Sequence, residues 1–204
     1  MFKKIEESCQ LLTQQFDVIP SERKVLLEKI SAYISKNRLN NKTSKLVYVC
    51  THNSRRSHFG QIWAKVAADF YKIDKVETFS GGTEATAFNI NAINALVEIG
   101  FEITAITSTS NPVYEVNYNE KSEAIVCFSK TYDDIHNPST EFAAIMTCSD
   151  AEENCPFIPG VELRIGTTYD DPKTFDNTPL QNEKYKERAL QIAKESLYVF
   201  SKVK

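Results

Sequence analysis

Val49-Cys50-Thr51-His52-Asn53-Ser54-Arg55-Arg56-Ser57 is the stretch on which the reading of this chain turns. Before it runs Leu46–Val49, a short β-rich apolar segment. After it, Ser57–Tyr71 carries Phe59, Ile62, Trp63, Val66, Ala67 and Phe70 at helical spacing. A strand therefore ends at a cysteine, five residues intervene, and an arginine opens a helix. Main-chain N–H groups of a loop running into a helix N-terminus converge on one spot and favour an anion there. The same field favours a thiolate at Cys50. Arg56 offers a planar fork to two oxygens of a tetrahedral oxyanion. Ser57 has a hydroxyl to donate to the thiolate or to a leaving sulfur, and Asn53 tolerates the left-handed backbone of a tight loop. Thr51, His52, Asn53, Ser54, Arg55, Arg56 and Ser57 are thus the candidate anion-binding residues, with Cys50 as candidate nucleophile. A bare Cys-x5-Arg also arises by chance; its place between a strand and a helix is what gives it meaning.

The rest of the chain fits around this unit. Val76–Phe79 reads as a second strand closed by Gly81–Gly82, and Ala87–Ile99 as a second helix ended by Gly100. Val113–Asn117 and Ala124–Phe128, separated by a polar turn, read as a hairpin. Phe142–Thr147 and Glu162–Ile165 are further strands, and Glu183–Val203 is a closing helix. Strands alternating with helices predict an α/β fold with a mainly parallel sheet. Residues 2–37 are expected to be helical, broken at Pro20–Ser21, with the polar segment Asn37–Ser44 as a linker. This gives a helical extension over 1–44, a packing or dimerising appendage without a chemical motif, and a catalytic domain over 45–204.

Composition sets outer limits. The chain has 204 residues, 42% hydrophobic and 25% charged, which excludes a wholly disordered or collagen-like chain. A net charge of −3 and a pI near 5.7 argue against nucleic-acid binding through a basic surface. No apolar run approaches the roughly 18–20 residues of a membrane-spanning helix, and the N-terminus does not read as a secretory signal. The cysteines stand at 9, 50, 127, 148 and 155, an odd number. A reducing cytoplasm is expected, where clustered cysteines point to metal, nucleophilic or redox chemistry.

Tyr169-Asp170-Asp171-Pro172 carries two acid candidates. Expulsion of an oxygen from a tetrahedral oxyanion requires a proton, and a carboxylic acid on a separate loop supplies it. Pro172 biases Asp171 to an extended conformation, and its neighbour Asp170 is the rival. Cys148 and Cys155 are seven residues apart. Structural zinc usually takes closer pairs and a second pair elsewhere, so no metal is expected. The pair is then either redox-active or two unrelated thiols. Ser149-Asp150-Ala151-Glu152 is a capping-box pattern, so a short helix is expected between the two cysteines. On a regular helix seven steps of ~1.5 Å put the Cα atoms roughly 10 Å apart. A disulfide needs about 4.4–6.8 Å, so the segment must unwind to oxidise.

Cys50–Ser57, the small-residue turn Ser80-Gly81-Gly82-Thr83-Glu84, the Asp171-Pro172 loop and the segment Thr147–Pro156 together resemble the low-molecular-weight tyrosine phosphatase superfamily, and within it the thioredoxin-coupled arsenate reductases. The resemblance spans about 45–111 and 142–200; residues 1–44 and the hairpin insertion at about 112–141 lie outside it. It implies a phosphatase-like parallel sheet flanked by helices. It also implies reduction of arsenate through a Cys50 adduct, with Asp171 as the acid. Cys148 then forms a disulfide with Cys50, Cys155 takes over Cys148, and thioredoxin reduces the pair; no organic cofactor is needed. A phosphomonoesterase, using Cys50, Arg56 and Asp171 alone, is the second enzymatic reading, though Lys173 replaces the aromatic residue that such phosphatases tend to have after Asp-Pro. A non-catalytic oxyanion-binding or redox-sensing module is the third. One departure stands in the loop itself, where His52 replaces the family's glycine; histidine is among the residues tolerated at positive φ.

Overall fold

Between Ser44 and Cys50 every residue but Lys45 is buried, the signature of a strand covered on both faces. This strand, β1, is central. In the computed structural model, which describes residues 1–154 and 158–204, it pairs in parallel with β2 (Val76–Gly82) on one side and β6 (Phe142–Met146) on the other. β7 (Val161–Gly166) pairs in parallel with β6, giving the order β2-β1-β6-β7. The register sets Cys50 opposite Gly82, so the C-terminal ends of β1 and β2 finish level. In an open parallel sheet that edge is where ligands are held.

The two faces of β1 serve different clusters, as the period of two demands. Leu46 and Tyr48 join the main core with Phe59, Ile62 and Trp63 of α3 (Arg56–Phe70). Val47 and Val49 join a smaller cluster with Phe142, Ala144, Met146, Cys148 and Ile158 on the opposite face, and Cys50, where the strand ends, packs with this second cluster. Gly60 lets α3 lie close on β1, since a Cβ there would collide with the Tyr48 ring. Helices α4 (Ile90–Ile99) and α6 (Gln181–Ser201) complete the layer, with Leu96, Tyr185, Ile192, Leu197 and Phe200 buried in the same core.

Helices α1 (Lys3–Thr13) and α2 (Ser21–Leu39) pack into this core through Ile5, Cys9, Leu12, Leu27, Ile30 and Ile34. α2 also reaches the end of the sheet that carries the acid loop. Arg23 Nε donates to Glu195 Oε2 at 2.8 Å, Tyr169 Oη donates to the same oxygen at 2.8 Å, and the Arg23 guanidinium lies 4.6 Å from the Tyr169 ring centre.

Several boundaries differ from the sequence reading. α2 runs on to Leu39, because Asn37 is buried and its carbonyl accepts the Lys42 amide at 2.9 Å. α4 begins at Ile90 rather than Ala87, since the Asn89 side chain caps it by accepting from the amides of Asn91 and Ala92. The expected hairpin is present as β4 (Tyr114–Asn117) and β5 (Ile125–Cys127), but a further strand, β3 (Glu102–Ala105), pairs antiparallel with β4 and makes a three-stranded sheet. The short helix expected after Cys148 is α5 (Ser149–Asn154).

Candidate active site

Cys50 closes β1 and Arg56 opens α3. Between them the chain turns at Asn53, which has φ 42°; His52 is not at positive φ. Asparagine takes this conformation at low cost, and here its side chain is bonded at both ends. Nδ2 donates to Ser57 Oγ at 2.8 Å, while Oδ1 accepts the Lys130 amide at 2.8 Å. Ser57 Oγ lies 3.1 Å from Cys50 Sγ. Because that hydroxyl already accepts from Asn53, its own proton is left for the sulfur.

The loop carbonyls are tied outward. Cys50 O accepts the Thr83 amide at 3.2 Å and Thr51 O the Glu84 amide at 2.9 Å. His52 O accepts from Ser129 Oγ at 2.9 Å and Thr86 Oγ1 at 3.1 Å, and Ser54 O from the Asn89 amide at 2.9 Å. Among the described residues, no protein acceptor is paired with the amides of residues 51–56. These N–H groups are left for an anion in front of the sulfur. Gly82 makes the arrangement possible: a Cβ there would sit 2.6 Å from Thr51 O and 2.7 Å from the Asn53 nitrogen.

Arg56 is buried, with Nη1 donating to Tyr169 O at 2.8 Å and Nη2 to Asp171 Oδ2 at 2.6 Å; its Nε is buried without a partner. An orphaned buried donor beside a ring of free amides is what a tetrahedral oxyanion satisfies. Asp171 Oδ1 accepts the Lys173 amide at 3.0 Å and so caps the 3-10 turn Pro172–Phe175. Asp170, by contrast, points into solvent at 98% side-chain exposure and pairs with Arg188 at 3.4 Å. Of the two carboxylates, Asp171 is the one that faces the loop.

Cys148 follows β6, whose register keeps it beside the loop; the Thr147 amide donates to Val49 O at 2.7 Å. Its buried sulfur lies 3.4 Å from Thr51 Oγ1 and accepts the Ala151 amide at 3.4 Å, at the N-terminal end of α5. α5 is anchored to β7 by Arg164, which donates to Glu152 Oε1 at 2.8 Å and to Glu152 O. Cys155 lies outside the described residues. Cys9 and Cys127 are buried elsewhere, and burial pushes both thiols up to about 12. They are held as inert thiols.

Of the remaining loop side chains, three point away from the anion side. Ser54 Oγ donates to Ala87 O at 2.7 Å, and His52 Nε2 meets Glu84 Oε1 at 2.9 Å on the exposed rim. Arg55 Nε donates to Tyr185 Oη at 2.8 Å. Sequence reasoning did not single out Ser129, Lys130, Thr86 or Asn89, which hold the loop from outside. None carries a local motif, and only the fold brings them to it. Beneath the loop His58 stacks on Phe88 (4.0 Å between ring centres), with Nδ1 3.2 Å from Ser80 Oγ. Burial, and secondly the nearby Lys130 charge, push His58 down to about 3, so it is neutral. Burial likewise lowers Lys130. Among the described residues no group of three or more His, Cys, Asp or Glu side chains is placed to hold a metal ion, and no helix is long and apolar enough to cross a membrane.

Known proteins resemble this chain in sequence and in fold. Arsenate reductase 2 of Staphylococcus epidermidis is 29% identical over 127 residues, covering 62% of this chain and 77% of the relative. The arsenate reductase of Bacillus cereus strain Q1 is 30% identical over 127 residues, covering 62% and 75%. Among solved structures, a low-molecular-weight protein tyrosine phosphatase from T. tengcongensis superposes with TM-score 0.52 at 14% identity, covering 79% of this chain and 100% of that one. A low-molecular-weight phosphotyrosine phosphatase from Vibrio cholerae O395 gives 0.51 at 15% identity, covering 78% and 95%. No family model matches the chain.

Proposed function

Because the chain belongs to the arsenate reductases built on the low-molecular-weight phosphatase fold, we propose that it reduces arsenate to arsenite through a covalent Cys50 adduct. We assign the chemistry to residues 45–204, with residues 1–44 as a packed helical extension. The loop amides and Arg56 hold the arsenate oxygens, the buried Nε taking one of them. The Cys50 thiolate attacks arsenic, and one arsenate oxygen departs as water with a proton from Asp171. Ser57 steadies the sulfur throughout.

Cys148 then attacks the Cys50 sulfur. A Cys50–Cys148 disulfide forms, the sulfur–arsenic bond breaks with its electron pair on arsenic, and arsenite is released. Cys155 attacks Cys148 and frees Cys50. The dithiol of thioredoxin reduces the resulting Cys148–Cys155 disulfide, with no resident cofactor, in a reducing cytoplasm. Atoms and electrons balance: two thiols become one disulfide while arsenic gains two electrons and loses one oxygen as water.

The observation that carries this reading is the Cys148 sulfur 3.4 Å from Thr51 Oγ1, the residue next to Cys50. Phosphate-ester hydrolysis uses Cys50, Arg56 and Asp171 and has no use for a second thiol there. The test is arsenite production with thioredoxin and its reductase, beside hydrolysis of an aryl phosphate, in wild type and Cys148→Ser. Arsenite production lost in Cys148→Ser with ester hydrolysis kept supports the reading. Ester hydrolysis without any arsenite from the wild type replaces it with a phosphatase.

A further inference from the structure

The cycle above gives the Arg55 side chain no task. That side chain leaves the anion side and enters a buried polar cluster. Nε donates to Tyr185 Oη at 2.8 Å, Nη2 lies 3.8 Å from Asp176 Oδ2, and Nε lies 4.0 Å from Asp171 Oδ1. Tyr185 Oη in turn donates to Asp176 Oδ1 at 2.7 Å. The Arg55 side chain is 11% exposed and Tyr185 is fully buried in α6. Asp171 and Asp176 bracket the 3-10 turn Pro172–Phe175, and the Asp176 amide donates to Lys173 O at 3.0 Å. One guanidinium thus joins the anion loop, the far end of the acid turn and a core helix.

The need for such a tie follows from Arg56. Its Nη2 holds Asp171 at 2.6 Å while its orphaned Nε is the donor left for an oxyanion, so one guanidinium serves both acid and substrate. A guanidinium that shifts to meet substrate moves the acid with it. The Arg55 contacts do not depend on that shift. We infer that Arg55, with Asp176 and Tyr185, is a positioning clamp that keeps Asp171 over the leaving oxygen once Arg56 has turned to substrate. The inference rests on the proposed function, in which Asp171 is the acid. Misplacing a reacting group by about 1 Å costs on the order of a hundredfold in rate, so the clamp acts on kcat rather than on affinity.

The test uses the full chain and two probes, phenyl phosphate (a poor leaving group) and 2,4-dinitrophenyl phosphate (a good one). Only the poor one needs a proton. Arg55→Met should lower kcat on phenyl phosphate by about tenfold or more, inside the range that general-acid catalysis supplies. On dinitrophenyl phosphate kcat, and KM on both, should stay within about twofold, since ground-state binding is untouched. On an Asp171→Asn background Arg55→Met should cost nothing further, because both changes remove the same function. Tyr185→Phe keeps the ring in the core and should show the same split in smaller measure. An equal loss on both probes, a loss that adds to that of Asp171→Asn, or no loss at all overturns the clamp. Amide exchange at Lys173 and Asp176 reads the clamp without any turnover. It should speed up in Arg55→Met, and an unchanged rate overturns the clamp. A wild type that processes neither arsenate nor ester overturns the proposed function instead, so the two failures are told apart.

Discussion

Acidification should unseat the floor of the anion loop through His58. This side chain sits two residues after Arg56, buried, stacked on Phe88 and beside Ser80 Oγ. Burial, followed by the Lys130 charge, moves it from 6.5 to about 3, with the Asn53 main chain pulling weakly the other way. Because the folded value is depressed, the unfolded chain takes up the proton first. The neutral side chain's contribution is whole above pH 6.5 and is lost as pH falls toward 3. Two pH units below 6.5, at pH 4.5, the loss is about 2.7 kcal/mol, at ~1.36 kcal/mol per unit. The assay is urea denaturation at pH 7.0 and pH 4.5 for wild type and His58→Gln. Carboxylates titrate in both proteins and cancel in the difference. The wild type should lose about 2–3 kcal/mol more than the variant between the two pH values. Equal losses would show that His58 is not held neutral and that the packing argument is wrong.

Two further predictions address the loop. Arg56→Lys keeps a positive charge but loses the fork, so kcat/KM should fall by about 2–4 kcal/mol in transition-state terms, read by steady-state kinetics on arsenate or an aryl phosphate. A loss below threefold would mean that the unpartnered Nε has no oxyanion to hold. Gly82→Ala drives a Cβ into Thr51 O and the Asn53 nitrogen. Activity should therefore drop by at least about tenfold with a melting temperature only a few degrees lower; unchanged activity would mean that the loop does not depend on this close approach.

The anion loop was readable in the chain because its parts are local. A β-rich run, a cysteine, five residues and an arginine before a helical stripe fix a strand–loop–helix turn whatever surrounds it. Asp171 was preferred to Asp170 only through the resemblance, which places the acid directly before proline; the two adjacent carboxylates are otherwise alike in the chain. What was not readable is non-local. β3 has the burial pattern of an exposed strip with no apolar alternation, and it is a strand because β4 offers it a pairing edge. The left-handed turn at Asn53 was readable, but the anchoring of its side-chain amide by Ser57 and by Lys130, a residue 77 positions away, was not. A charged residue in a loop carries no sign of its direction. Arg55 stood in sequence as one more anion-binding residue, and only the placement of Tyr185 and Asp176 shows where its side chain goes.

The most direct test of the central claim is disulfide mapping by mass spectrometry after a single turnover of arsenate in Cys155→Ser. The relay then stops one step early. The account predicts one equivalent of arsenite and a Cys50–Cys148 disulfide, a bond for which the structure already sets Cys148 beside the loop. Arsenite released in repeated turnovers with thioredoxin, or arsenite released with Cys50 and Cys148 both recovered as free thiols, would contradict it.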